Sequence, residues 1–389
     1  MNFLRNIKVV EFSHMVMGPS AGMILADLGA DVIKIEPIGG DKTRRLPGSG
    51  AGYFAMFNRN KKSICLDIKS EEGQGIVRKL LEGADVMIEN FRSGALDKLG
   101  LSYEAVREIN PRLIYQSSKG FLSGPYQERT ALDEVAQMMG GLAYMTGPEG
   151  RPLRAGSSVI DITGGMFGVI GILAALLDRE QNGREGRQIT SSLFETTVFL
   201  VGQHIAQHAV TGTPAPPMPT RVSAWAVYDV FDTKDGQMFV GVVSDGQWRA
   251  FCEVFGLTHW KDHPDCAENS DRVARRDEII PELRRLFGAM ATAELEDKLL
   301  KAGLPFAPIN RPEDLAEDPQ VAEGGLFELA LPDHNATVKL PKLPIESNGQ
   351  RDETAGDPPR AGENSDAVLD GLGFDAAQIA AWRKAGIVA

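Results

Sequence analysis

The sequence predicts a doubly wound α/β fold, and three observations carry that prediction. β-rich runs alternate with helical text from residue 8 to about residue 121. A cluster of four prolines in "TGTPAPPMPTRV" then separates this part from a smaller region of mixed character. At 389 residues, 43% hydrophobic and 24% charged, the chain is long enough for a large core and for two or three structural units.

Taken in order, "IKVVEF" reads as a strand, "MVMGPSAGMILADLGA" as a loop and a helix, and "DVIKIE" as a second strand. Strand, helix, strand is the unit of a parallel sheet. "KSICLDI", "DVMIENF" and "RLIYQSSKGF" continue the strands. "EEGQGIVRKLLEGA", with acids in its first turn, and "YEAVREI" supply the helices between them. Residues 1–212 thus form a large unit, 213–222 a proline-rich linker and 223–325 a smaller α+β domain. In that domain "WAVYDVFDTKDGQMFVGVV" reads as two strands around Lys234-Asp235-Gly236, the Asp-Gly step supplying a positive φ. Helical text follows in "DGQWRAFCEVFG" and "ARRDEIIPELRRLFGAMATAELEDKLLKAG". Residues 326–389 are polar and rich in Gly and Pro, and end in an amphipathic helix near "AAQIAAWRKAG".

A net charge of −12 excludes nonspecific nucleic-acid binding as a main role, which needs cations against phosphates. The balance is uneven: residues 1–100 hold 14 Lys and Arg against 12 Asp and Glu, so an anionic ligand belongs on this part. The apolar run Met166 to Leu177 falls short of the roughly 20 residues of a membrane span. "MNFLRNIKVVEF" has no signal-peptide order, so a cytoplasmic location without membrane attachment is expected. Cys65, Cys252 and Cys266 are scattered packing residues without a CxxC pair. His204 and His208 stand at i,i+4 but lack the glutamate of HExxH, and no metal is expected. No G-x-S-x-G, GxxxxGK[ST] or correctly spaced GxGxxG occurs.

The candidate chemistry centres on "AGSSVIDITGGMFGVIGILAALLDRE", residues 155 to 180. Asp161 precedes a long apolar helix and reads first as its N-cap. With an ordinary pKa of about 3.9 it is also an ionised carboxylate, a nucleophile or a base. Gly164 and Gly165 fit either open space for a substrate or close helix packing. Asp133 and Glu134 in "TALDEVAQMMGG" are first-turn acids or partners of Asp161. Arg44, Arg45, Arg59, Lys61, Lys62, Lys69, Arg92 and Lys98 form either a solvated basic face or a site for a phosphate-bearing ligand.

"VVEFSHMVMGPSAGMILADLGADVIKIEPIGGDKTR", "YFAMFNRNKKSICLDIKSEEG", "DVMIENFRSGALDKLGL", "NPRLIYQSSKGF" and "LDEVAQMMGGL" resemble successive blocks of the class III CoA-transferases, the carnitine-CoA-transferase and bile-acid-inducible type. "GILAALLDREQNGREGRQITSSLFE" and "GENSDAVLDGLGFDAAQIAAWRKAGIV" extend the resemblance over essentially the whole chain.

The resemblance implies a Rossmann-like large domain built from both terminal parts, a small inserted domain and an interlocked homodimer. It implies acyl-CoA and a small carboxylic acid as substrates, with no tightly bound cofactor. Asp161 falls where the family keeps an aspartate that attacks the thioester. The attack gives a mixed anhydride and then an aspartyl-CoA thioester, for which an ionised, low-pKa carboxylate is a good leaving group. Asp133 matches a supporting acid. The CoA contacts map to Ile35, Glu36, Leu66, Asp67, Lys69, Asn90, Phe91 and Lys98, with Arg44 and Arg59 as further candidates.

The chain also departs from the family pattern. Leu132 stands where the racemase branch has histidine, which argues against acyl-CoA racemisation, a reaction needing a base on each face of the carbon. A non-catalytic CoA-binding protein is the remaining alternative. Val16 replaces the glutamine of some formyl-CoA transferases. The glycine-rich loop over the site is represented by Gly246 and Gln247, and Asn364 replaces a histidine of the tail.

Overall fold

The computed structural model describes residues 2–221, 223–353 and 355–389. Met1, Val222 and Thr354, which fall within the segments 1–212, 213–222 and 326–389, lie outside the described residues. The chain divides into two compact units, one of residues 1–220 with 319–389 and one of residues 221–318.

The larger unit is built on six parallel strands: β1 Lys8–Phe12, β2 Asp31–Glu36, β3 Lys62–Cys65, β4 Val86–Glu89, β5 Ile114–Lys119 and β6 Gln188–Ser192. Their order is β3-β2-β1-β4-β5-β6. The order reverses between β1 and β4, and in such sheets the crevice beyond the carboxyl ends of the strands at that point receives ligands.

Alternation along the strands feeds two cores. Val10, Phe12, Ile64 and Met87 pack on the side of α3 Glu71–Glu82 and α4 Tyr103–Ile109. Val9, Val32, Val86 and Ile114 pack on the opposite side with Leu25 of α1 Met17–Asp27 and with Val169 and Ile172 of α7 Val159–Asn182. Short helices α2 Tyr53–Phe57, α5 Asp133–Met139 and α6 Leu142–Thr146 lie in the connections, and α8 Leu193–Thr211 follows β6.

Helices α1 and α7 approach closely because their facing residues are small. A side chain at Gly165 would meet Ser20 Oγ at 2.1 Å and the Met17 carbonyl oxygen at 2.7 Å, and one at Gly164 would meet the Met17 methyl at 2.7 Å. These glycines serve helix packing, which resolves the choice between packing and open space. With 24 residues, α7 is long and apolar enough by length and composition to cross a membrane, which corrects the expectation drawn from its apolar run. Here it packs through Ile160, Val169, Ile172 and Leu176 against α1 and the sheet, leaving Met166, Ile170 and Leu177 exposed.

The smaller unit pairs β7 Tyr228–Asp232 antiparallel with β8 Gln237–Gly241, and β8 with β9 Phe306–Pro308, a strand the sequence reading lacked. Helices α9 Asp245–Phe255, α10 Thr258–Lys261, α11 Asn269–Ala274, α12 Arg276–Gly288 and α13 Thr292–Ala302 complete it. Neither Asp235 nor Gly236 has a positive φ, contrary to expectation. The hairpin connection is a four-residue loop in which Thr233 N–H donates to Gly236 O and the Asp235 carboxylate accepts from Thr292 N–H at 2.7 Å, capping α13.

The returning segment adds α14 Pro319–Ala322, a hairpin of β10 Leu326–Leu331 and β11 Ala336–Pro341, and helices α15 Ser365–Gly371 and α16 Ala376–Lys384. It closes the free edge of β3. Asn364 Oδ1 accepts from Ser63 N–H at 2.8 Å, Asn364 N–H donates to Ser63 O, and Ala389 N–H donates to Cys65 O. That edge contact is what the asparagine at 364 does. The three cysteines are buried and unpaired.

Substituting Gly165→Ala is expected to cost roughly 1–3 kcal/mol, because the new methyl meets backbone that cannot swing away. Urea denaturation reads this directly, and an unchanged midpoint would contradict the close α1–α7 packing.

Candidate active site

The β1–α1 connection and the end of β4 form the switch-point crevice. His14 N–H donates to Asn90 Oδ1 at 3.0 Å and Asn90 Nδ2 donates back to His14 O at 2.7 Å, so Asn90 clamps the two strand ends together. Phe91 lies 5.3 Å from the His14 ring, and burial lowers the His14 pKa, leaving a neutral imidazole at pH 7. A cleft of about 570 Å³ opens here and takes in His14, Asn90, Phe91, Asp133, Glu134 and Asp161. A larger cleft of about 890 Å³ lies between Lys61, the β10–β11 hairpin and residues 357–364, and holds neither Asp133 nor Asp161. Lys61 is already bound to Glu11, Pro19 O and Asn58.

Asp161 is not the N-cap of α7. Ser158 occupies that place and its hydroxyl makes no capping bond, which puts Asp161 in the first turn. The cap comes from another helix: Asp133 Oδ2 accepts from Ile160 N–H at 3.0 Å and Asp161 N–H at 3.2 Å. Its other oxygen accepts from Gln137 Nε2 at 2.5 Å, one helical turn along α5. Gln137 Oε1 in turn accepts from Ala155 N–H at 2.8 Å. Asp133 is 5% exposed and Gln137 is fully buried, so this is an internal brace between α5, the segment before α7 and α7 itself.

With those two N–H groups given to Asp133, the Asp161 carboxylate loses the support a helix start offers an anion. Burial, then the facing Asp133, then Glu134 push its pKa up to about 7, against the opposing charge of Arg154. The expectation of a fully ionised, low-pKa carboxylate is corrected accordingly. Arg154 bonds Glu134 across the cleft rim.

The remaining predicted residues divide by place. Ile35 and Glu36 end β2, and Leu66 and Asp67 follow β3, along the same sheet end as Asn90 and Phe91. The Glu36 carboxylate is filled by Arg44, Asp41 N–H and Ser63 Oγ. Against the cost of burial, Arg44 holds its pKa below the usual carboxylate value. Arg44 also bonds Asp333 and Pro359 O, so its guanidinium serves the fold. Arg59, 1% exposed, is bonded to Asp27 inside the protein and stands apart from the cleft. Lys69 and Lys98 are exposed.

Leu132, 60% exposed, precedes α5 at the cleft. Gly246 and Gln247 belong to the smaller unit and lie in the first turn of α9, where Ser244 Oγ accepts from Gln247 N–H. That segment is a capped helix start, not a glycine loop. Sequence reasoning missed Gln137 and Arg154, although the i,i+4 spacing of Asp133 and Gln137 in "DEVAQ" was available.

A raised folded-state pKa means the native carboxyl binds its proton more tightly than the unfolded one. Stability is therefore present below about pH 4 and is lost as pH rises through about 7. Asp161→Asn is expected to be more stable than wild type above pH 7, by roughly 1–3 kcal/mol, with the gap closing below pH 4. Thermal unfolding across pH tests this, and a constant or inverted gap would count against it. Asp133→Ala removes the cap acceptor and is expected to cost about 0.5–2 kcal/mol in the same measurement.

The family model described as CoA-transferase family III matches residues 4–365. The succinate–glutarate CoA-transferase of Agrobacterium fabrum is 36% identical, over 83% of this chain and 84% of its own length. The acetyl-CoA:oxalate CoA-transferase of Acetobacter aceti is 35% identical, over 88% and 89%. A solved CAIB/BAIF family protein from Brucella suis superposes with a TM-score of 0.83 at 34% identity, covering 94% of this chain and 98% of that one. Fold, parallel sheet and matched length agree: the chain belongs to CoA-transferase family III and is an enzyme of that class.

Proposed function

We propose that the chain moves CoA from an acyl-CoA to a small carboxylic acid, with Asp161 as nucleophile. The observation that carries this reading is the Asp161 carboxylate itself. It lines the cleft at the sheet switch point, on a helix whose N-terminus is capped by Asp133.

The Asp161 oxygen attacks the thioester carbonyl, the C–S bond breaks, and CoA leaves as thiolate with an acyl–aspartyl anhydride formed. The thiolate attacks the aspartyl carbonyl and releases the donor acid, leaving an aspartyl-CoA thioester. An incoming carboxylate attacks that carbonyl and displaces the thiolate, which then takes the new acyl group and frees Asp161. Each step exchanges one oxygen or sulfur nucleophile for another and needs no external base. A carboxylate held near pKa 7 by burial is a stronger nucleophile than an ordinary aspartate once ionised. CoA lies along the ends of β2, β3 and β4, where Ile35, Leu66, Asp67, Asn90 and Phe91 stand, and Lys69 and Lys98 offer exposed charge for its phosphates.

Relatives named for succinate, glutarate and oxalate support a dicarboxylic acid as acceptor. A homodimer, interlocked as the resemblance implies, is supported by exposed apolar side chains on α7 and α8: Met166, Ile170, Leu177, Phe199, Ile205 and Val210.

Incubation with acyl-CoA followed by hydroxylamine and peptide mass spectrometry is expected to mark Asp161. An unmodified Asp161 under turnover overturns the mechanism, and deuterium entry at the α-carbon without CoA exchange would favour the racemase reading. The anion is the attacking species, so kcat/KM is expected to rise with pH through about 7. In Asp133→Asn, with one raising charge removed, that rise should move to lower pH.

A further inference from the structure

We infer that Arg129 is the specificity residue of this cleft, holding the second carboxylate of a dicarboxylic acid whose first carboxylate reacts at Asp161. The inference rests on the transferase reading above.

Four cations line the cleft: Arg92, Lys119, Arg129 and Arg154. Two are neutralised, Lys119 by Glu89 at 2.7 Å and Arg154 by Glu134. Arg129 has no ion-pair partner among the described residues, and its exposed side chain lies against two aromatic rings. Its N–H donates to Tyr126 O at 2.8 Å, closing a turn, and its guanidinium sits 4.8 Å from the Tyr126 ring centroid and 5.9 Å from that of Phe121. Those rings are braced by Phe194, 5.4 Å from Phe121 and 6.5 Å from Tyr126. A guanidinium stacked on aromatic faces keeps its N–H groups free at the edge, a fork already oriented for a carboxylate.

Strand order indicates which anion it receives. CoA is assigned to the ends of β2 to β4, and Arg92, also unpaired, follows Phe91 on that side. Arg129 follows β5, the next strand outward, on the segment leading to Asp133. It therefore belongs to the half of the cleft left for the acid. A monocarboxylate leaves this guanidinium unmatched, whereas a short dicarboxylate places one carboxylate at Asp161 and the other on Arg129.

Succinate and butyrate, equal in carbon number, separate the two cases with acetyl-CoA as donor. In Arg129→Met the KM for succinate is expected to rise about 10- to 100-fold, the effect of losing a charge-assisted bidentate contact. The KM for acetyl-CoA and turnover with butyrate should stay as in wild type, and Arg129→Lys should restore part of the succinate effect. Calorimetry gives the same contrast without turnover, as weaker succinate binding to the variant. Equal losses for both acids, a raised KM for acetyl-CoA, or unchanged succinate KM and binding would overturn the inference. Failure of the transferase reading looks different: Asp161 is then unlabelled in wild type and no acid accepts CoA.

Discussion

The site depends on the Asp133 carboxylate reaching from α5 to the open end of α7. A helix start has N–H groups that must be met, and Ser158, in the capping position, does not meet them. Asp133 does, and Gln137 holds it there while fastening the segment ahead of α7 through Ala155. The consequence falls on Asp161. It sits in the first turn of a helix yet gains little as an anion, because the donors nearest to it are spent on another acid. Burial then decides its proton affinity. A buried carboxyl with a raised pKa costs the folded protein stability as pH rises through about 7.

The scaffold makes this arrangement rigid from two directions. Beneath α7, glycines at 164 and 165 let the helix lie on Met17 and Ser20 of α1, and α1 itself starts where β1 ends. Across the crevice, the two hydrogen bonds between His14 and Asn90 tie the β1 and β4 ends. Asp161 and the strand ends proposed for CoA are thereby referred to one sheet.

Much of the fold was legible in the sequence because a buried parallel strand and an amphipathic helix leave different periods in the text. "VVEF", "DVIKIE" and "DVMIE" became β1, β2 and β4. The β9 strand, only three residues long, left no such period. Asp133 and Asp161 were both recognisable as acids at helix starts, but which of them capped α7 was not. The capping acid stands 28 positions away from Asp161, and only the packing of α5 on α7 brings it there. The basic run was open to two readings for a related reason. Arginine text looks the same whether the guanidinium meets a ligand or an internal carboxylate, and Arg44 and Arg59 do the latter. Gly246 and Gln247 were a loop only through the family resemblance; the text "DGQWRAFCEVFG" itself reads as helical, and the preceding Ser244 caps the helix there.

The closure of β3 by residues 364 to 389 has a consequence for how the protein acquires its shape. Ser63 finds its edge partner 301 positions downstream. Until that segment arrives, the rim of an otherwise assembled parallel sheet presents free N–H and C=O groups, a template for any extended strand. Contacts of such sequence separation slow folding, and this one makes completion of the sheet depend on residues far along the chain from Asp161. A truncation in the tail would therefore act first on solubility during synthesis, and only through it on catalysis.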